Sequence, residues 1–321
     1  MTQRVHVTDR SDFKRCRRKY QFKQEGLVPK DKLQAGPLWF GEGVHQCLAE
    51  YYTKEPKDSI QSFFEKRWFQ YVKDTATEHS EETLVGLSTD SDLAVGMLCS
   101  YHDQYRDSKL ETIAIERELE VKVKGVRVKL VGKMDRLVID ENENLWVVDH
   151  KTAREFPPLE RLEVDDQFTA YLWMLREHGI KVKGLIYNGL RKKLPIYPPL
   201  LQKGGLSKAQ NIDTTRTIYL DAINGYGLDR ADYEDVLTRL EQNRFFMREK
   251  VLRTRRHLDV FGENVAAEIR EMSSKKTVMF PNFTKDCAHD CPYKLLCRCV
   301  QDGGDKKMLA DMYFTYQEPR N

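Results

Sequence analysis

The chain sets 53 lysines and arginines against 50 aspartates and glutamates over 321 residues, giving a net charge of only +3 and a mean hydropathy of −0.64. That length can bury one elaborated core or two, and no apolar run approaches the ~20 residues that a membrane-spanning helix needs. The N-terminal segment also lacks the apolar stretch of a secretion signal, so a cytoplasmic protein with no membrane partner is expected.

Taken in chain order, residues 8–25 predict a short helix, capped by Thr8 or Ser11 and stopped by Gly26. A glycine- and proline-rich passage at 35–43 opens a helix from Glu42 to Tyr52. Apolar spacings of three and four predict helices over 58–73 and 89–107. Alternation from Thr112 to Val131 predicts two strands joined near Lys124 and Gly125. Then come a hairpin at 131–152, a helix over 163–178 and a strand through KVKGLIYNGLRKK. Proline and glycine punctuate 195–205. A helix is predicted over 229–256, basic toward its end, and another over 262–273, before a cysteine-rich tail. The plan is α/β, a central mixed β-sheet flanked by helices, with helical insertions.

The hairpin carries the most chemistry. Two apolar runs, MDRLVID and NLWVVDHKT, flank the turn Glu141–Asn144. Asp135 sits early on the first strand, while Asp149 and Lys151 share one face of the second. Pairing about that turn brings Asp135 opposite the Asp149 and Lys151 end. Converging carboxylates repel one another unless a hard divalent cation joins them. A lone D-x-K is more often an ordinary surface feature, but Asp149 follows Leu-Trp-Val-Val, which reads as a buried strand, and a charge leaving such a strand needs a partner.

The charge is unevenly distributed. From Arg10 to Lys23 there are seven basic residues against one acid, from Arg191 to Lys208 five against none, and from Arg244 to Arg256 six against one. These blocks suggest a polyanion track that includes Arg15, Arg17, Arg18, Lys19, Arg191, Lys192, Lys193, Arg253, Arg255 and Arg256. Tyr20, Phe22, Phe245 and Phe246 lie among them, as aromatic rings do where bases stack. A nucleic acid is the partner these blocks suggest. Cys47 and Cys99 fall in apolar helical stretches and read as core residues. Cys16, Cys287, Cys291 and Cys297 could hold a structural zinc or an iron–sulfur cluster, with Cys299 as a spare ligand.

Several further residues fall into order around the hairpin: Gly41 with His45, Glu116, Gly132 with Asp135, Asp149 with Lys151 and Thr152, and Gln167 with Tyr171. Each alone has an ordinary structural reading. In this order they resemble the RecB-type branch of the PD-(D/E)XK nuclease superfamily. One cysteine before that core and three after it resemble its iron–sulfur subset, which includes AddB-type helicase-nucleases, CRISPR-adaptation nucleases and phage exonucleases. The first cysteine gap is commonly two residues there and is three here.

The resemblance implies a restriction-endonuclease-like core over 27–200 with a helical insertion at about 46–110. It implies a cluster region formed by 8–25 and 280–300, which closes the two ends together, and a helical basic region at 225–275, all within one nuclease domain of 1–321. It further implies Mg²⁺ or Mn²⁺ on His45, Asp135, Asp149 and the His150 main-chain carbonyl, with Glu116 as a further ligand and Glu118 as its rival. Lys151 would orient the attacking water, with Gln167 and Tyr171 positioning it or the DNA backbone. A [4Fe–4S] cluster is implied on the four cysteines, with zinc as the alternative. The expected activity is an exonuclease on single-stranded DNA or DNA ends, in recombination, repair or phage DNA metabolism, acting with a helicase or recombination partner. Alternatives are a structure-specific or CRISPR-adaptation endonuclease, or a non-catalytic DNA-binding protein. No G-x-x-x-x-G-K-S/T phosphate loop is present, so the segment has no helicase motor.

Overall fold

The computed structural model of the protein describes residues 3–30, 37–54, 56, 59–75, 81–106, 108–242, 245–289 and 291–318. Residues 35–36 of the glycine- and proline-rich passage, the first residue of the helix expected over 58–73, the last of that over 89–107, and Arg244 lie outside the described residues.

β1 (Gln3–His6) runs into α1 (Val7–Arg15) and α2 (Arg17–Gln24). The single helix expected over 8–25 is therefore two, because Cys16 is extended and both ends α1 and begins α2. The N-cap is His6 rather than Thr8 or Ser11, and its N–H donates to Asp9 Oδ2 at 3.0 Å. Gly26 follows α2 at φ +75°, a conformation that favours glycine, and leads into β2 (Leu27–Pro29).

α3 (Pro37–Thr53), α4 (Ile60–Thr75) and α5 (Glu81–Tyr105) pack around Phe40, Phe64, Trp68 and Tyr101. The predicted meander follows as β3 (Glu111–Lys122), β4 (Val128–Ile139) and β5 (Leu145–Ala153). Gly125 turns the first connection at φ +80°. Asp140 turns the second by accepting from the Asn142 and Asn144 N–H groups at 3.0 and 2.9 Å and from Trp146 Nε1 at 2.9 Å. α6 (Leu159–Glu163) and α7 (Asp166–Glu177) lead to β6 (Gly184–Arg191). α8 (Arg216–Gly225) and α9 (Glu234–Arg239) share a small core of their own around Tyr219 and Leu237.

β7 (Phe246–Val251) and α10 (Arg255–Ser273) correct the helix expected over 229–256 and with it the helical basic region at 225–275. Met, Arg, Glu and Lys favour helices in isolation, but FMREKV pairs antiparallel with the free edge of β6, Leu185 against Val251 through Leu190 against Phe246. Phe246 packs into the α3–α5 core and Val251 into the other core, so the strand serves both faces of the sheet. Sheet pairing and two-sided burial outweigh intrinsic propensity here. α11 (Asp286–His289), α12 (Lys294–Gln301), α13 (Lys306–Tyr313) and β8 (Phe314–Tyr316) complete the chain. β8 pairs antiparallel with β2, and Phe22, Leu27, Tyr293, Leu296 and Phe314 form the core that closes the two ends of the described chain against each other.

The main sheet runs β1-β4-β5-β6-β7, with β3 on the remaining edge of β4. β1 pairs parallel with Val128–Val131 and β5 antiparallel with Arg136–Ile139, so both occupy one edge of β4. Between them Gly132–Asp135 has no strand partner on that edge. Residues of α1, α7 and α10 cover one face of the sheet, and α3–α5 the other. No helix among the described residues is long and apolar enough to cross a membrane.

Candidate active site

The open stretch of β4 is where the ionisable groups converge. β5 runs past it in a register that pairs Arg136 with Val148, which places Asp135 opposite Asp149. β3 pairs Ile115 with Arg136 and Arg117 with Met134, which places Glu116 beside Asp135. Glu116 also takes φ +49°, a left-handed conformation that is strained for a side chain other than glycine and that clusters at functional sites. α3 brings His45 across the gap, with Nδ1 3.3 Å from Asp135 Oδ1. His45, Glu116 and Asp135 each offer a ligand atom, and the three atoms lie within 4.8 Å of one another. Glu118, the rival carboxylate, instead pairs with Arg4, while Glu116 pairs with Lys133.

Asp149 is 1 % exposed, with the half-buried Lys151 Nζ 2.7 Å from its Oδ2. That oxygen accepts no well-aligned hydrogen bond among the described residues. Burial raises the Asp149 carboxyl; Lys151 opposes the rise, Asp135 adds to it, and the result is a pKa of about 6. Burial alone would lower Lys151, but Asp149 and Asp135 beside it hold the ammonium well above its usual range. Burial would raise Asp135, yet His45 and Lys151 prevail and keep it strongly ionised. His45 is raised despite its burial, because Asp135 faces it. Carboxylates and an imidazole form a donor set suited to a divalent cation, and the Lys151 ammonium stands beside that set as a fixed positive charge.

His150 lies between these groups but turns its ring to the opposite face. Its main-chain N–H donates to Asp135 Oδ2 at 2.7 Å, and its Nδ1 lies 2.7 Å from Asn188 Nδ2. Arg248 Nε donates to Asn188 Oδ1 at 2.7 Å. The Asn188 amide is thereby oriented with its NH₂ toward His150, so Nδ1 accepts and the imidazole proton resides on Nε2. Burial pushes the ring down to about 3, which keeps it neutral. On α7, Gln167 Nε2 donates to the Tyr171 hydroxyl at 2.8 Å, and the Tyr171 ring closes over Gly132, where a methyl group would come within 3.1 Å of its Cε1. Sequence reasoning missed Asn188 and Arg248. A fully buried Asn amid the apolar residues of β6 was a visible signal, whereas Arg248 was hidden by the misread helix.

Cys16, Cys287, Cys291 and Cys297 line one largely apolar cavity of about 280 Å³ with Phe22 and Tyr293. Main-chain N–H groups approach two of the sulfurs: Asn282 donates to Cys16 Sγ at 3.4 Å and Thr284 to Cys287 Sγ at 3.5 Å. Burial raises the Cys291 and Cys297 thiols. Cys299 does not line this cavity; its Sγ packs over Gly304.

Many of the basic residues make contacts within the fold. Arg17 pairs with Glu271 and lies over Phe280, Arg18 donates to the Met279 carbonyl, Lys19 pairs with Asp12, and the Arg15 carbonyl accepts from Asn282. Arg191 and Lys193 share Asp213, and Lys192 lies 4.5 Å above the Phe40 ring. Arg253 donates to Thr169 Oγ1 and to the Leu162 and Asp165 carbonyls, while Arg255 and Arg256 are exposed in the first turn of α10. Tyr20, Phe22, Phe245 and Phe246 are all buried, which corrects their reading as stacking platforms.

Among solved structures, the chain is similar to one described as "Crystal structure of SSO0001", at 11% identity and a TM-score of 0.37, over 92% of this chain and 86% of that one. No curated protein matches the sequence. Residues 5–298 match the PD-(D/E)XK nuclease superfamily, a span that holds every site residue described above. By that match the chain belongs to the PD-(D/E)XK nuclease superfamily, and it is a metal-dependent, phosphodiester-hydrolysing nuclease whose substrate is DNA.

Proposed function

We propose that this nuclease is an exonuclease acting on single-stranded DNA or DNA ends, with Mg²⁺ or Mn²⁺ held by His45, Asp135, Asp149 and the His150 main-chain carbonyl, and Glu116 as a further ligand. The observation that carries the reading is the convergence of His45, Glu116 and Asp135 within 4.8 Å, next to the buried Asp149–Lys151 pair. The imidazole in that set favours Mn²⁺ over Mg²⁺. A bound divalent cation supplies Lewis acidity and positive charge against the phosphate oxygens. The protein does the rest. Lys151 sets an ammonium where a water can be oriented and negative charge on the phosphate stabilised. Asp149 holds that ammonium in place. The His150 N–H fixes one oxygen of Asp135, leaving the other toward His45. Gln167 fixes the Tyr171 hydroxyl beside this group.

The four cysteines are proposed to hold a [4Fe–4S] cluster rather than zinc. A cavity of about 280 Å³ is larger than a single tetrahedral ion needs, and N–H donors to the sulfurs suit cluster thiolates. The cluster would fasten Cys16, at the break between α1 and α2, to α11 and α12.

End-directed action is supported by the sequence resemblance to phage exonucleases and by the lack of a motor phosphate loop. End-labelled single- and double-stranded DNA, linear and closed circular, supplied with Mn²⁺ or Mg²⁺, tests it. Linear strands are expected to shorten from an end while circles persist; cleavage of circles would refute the exonuclease assignment in favour of an endonuclease. Asp149→Ala should abolish cleavage with DNA binding largely kept. Protein purified without oxygen should be brown, absorbing near ~400 nm, and colourless protein with stoichiometric zinc would reject the cluster.

A further inference from the structure

The face of the sheet opposite the carboxylates carries charge that the nuclease reading does not use. Arg136 follows Asp135 in β4 but points to the other side and is 3 % exposed. Its Nε donates to Thr112 Oγ1 at 2.7 Å, its Nη2 to the Leu110 carbonyl at 3.0 Å, and its Cζ lies 3.5 Å from the centre of the Tyr52 ring. Arg248 arrives from β7. Besides Asn188, it donates to Ser108 Oγ at 3.0 Å and to the Tyr101 hydroxyl at 3.1 Å, and it lies 3.4 Å from the centre of the Tyr105 ring. All of these partners are neutral.

Among the described residues neither guanidinium is paired with a carboxylate. The same fold treats another buried guanidinium differently: Arg10, 0 % exposed, has Glu268 at 2.6 Å and Asp166 at 3.2 Å. Buried cations without a counter-charge are rare, because desolvation is not offset by an opposite charge. A cavity of about 300 Å³ opens against Arg136, lined also by Lys54, Arg106, Ser108, Thr112 and Tyr105. Every charged residue among its described lining is a cation. Guanidinium forks, an ammonium and hydroxyl groups around a space of this size match the oxygens of a phosphate.

We propose that this cavity is a second, non-catalytic site that takes a phosphate group with a terminal charge, supplied by the end of a DNA strand or by inorganic phosphate. The DNA source rests on the nuclease reading; the anion chemistry does not. The site touches the catalytic side through one layer of side chains, since the Tyr52 ring that carries Arg136 also stacks on the His150 ring, 6.1 Å between centroids.

The test uses the full chain with divalent cations chelated, so that binding is read without cleavage. Oligonucleotides of one sequence, carrying a 5′-phosphate, a 3′-phosphate or hydroxyls only, are compared by fluorescence anisotropy at fixed salt. One phosphorylated form is expected to bind about tenfold more tightly than the hydroxyl form, the scale of a charge-assisted hydrogen bond. Arg136→Met and Lys54→Gln should each remove most of that difference and leave the hydroxyl form within about twofold, a margin well below that scale. Lys54 is exposed at the rim, so its variant reports even if Arg136→Met does not fold. In a second arm, inorganic phosphate should raise the melting temperature of the unmodified protein more than that of the variants. A phosphate effect in this arm alone assigns the site to the free anion. No variant-sensitive effect in either arm overturns the proposal. Cleavage of hydroxyl-ended DNA, followed in parallel with Mn²⁺, reports on the nuclease reading separately.

Discussion

Lys151→Met removes the ammonium while keeping an unbranched stem, and its consequences follow from one contact. Nζ stands 2.7 Å from Asp149 Oδ2, and Asp149 is already at a pKa of about 6 because burial outweighs the help that Lys151 gives. An opposite charge this close moves a carboxyl by about one to three pH units. The variant should therefore carry Asp149 to about 7–9, so that at neutral pH a cation must first displace its proton. Each unit between that value and the pH weakens apparent cation affinity about tenfold, or about 1.4 kcal/mol. The variant's affinity at pH 7 should lie up to about a hundredfold below its own limit near pH 9, whereas that of the unmodified protein should change far less over this range. Cleavage should fall further, by about 100- to 1000-fold, because a charge directed at the phosphate is also gone. Mn²⁺ titration calorimetry between about pH 6 and pH 9, alongside cleavage of end-labelled DNA, measures both. A variant whose Mn²⁺ affinity is as flat between about pH 7 and pH 9 as that of the unmodified protein would remove Asp149 from the cation's ligands. Undiminished cleavage would refute the role of Lys151.

Other perturbations address the frame around the site. Trp146 Nε1, then the Asn144 N–H, hold Asp140 at a pKa of about 2. Because that lies below the unfolded value of about 3.9, the stabilisation is complete above pH 4 and disappears as the pH falls toward 2. Urea midpoints of Asp140→Asn and the unmodified protein should differ at pH 6 and converge in that acid range; a constant gap would show that the Asp140 charge does not hold the turn. In Gly132→Ala the added methyl group meets Tyr171 Cε1 at 3.1 Å and Met174 Sδ and Val7 Cγ2 at 3.2 Å. Overpacking of this kind costs about 1–3 kcal/mol, so the melting temperature should drop and cleavage weaken as Tyr171 is displaced; unchanged values of both would contradict the close packing. Cys297→Ser should lose the visible absorbance and Cys299→Ser keep it, and the reverse result would exchange their roles.

How much was legible in the sequence depended on the range of the interactions. The meander that carries Glu116, Asp135, Asp149 and Lys151 announces itself through period-two alternation and polar turns, because each strand's neighbour is the next segment of chain. The Gln167–Tyr171 pair needs only the four-residue periodicity of a helix. The resemblance put Glu116 ahead of Glu118, but the residues themselves did not show which of the two stands near His45. That depends on the β3–β4 register, which sets Glu116 beside Asp135, and on the salt bridge that takes Glu118 to Arg4. Cys297 and Cys299 stand two apart on α12, roughly 200° around a helix, so helical phase separates them once the helix is known.

The sequence by itself determined the local alternations and the order of the motifs, and through them the superfamily and its nuclease chemistry. Only the tertiary structure decided that 246–251 is a strand, that the aromatic residues among the basic blocks are core, and that Arg136 lies buried beside a cavity with no acid among its described lining. The reason is physical. A strand's partner, a ring's burial and a cation's counter-charge come from residues distant in the chain, and no periodicity within a segment encodes them.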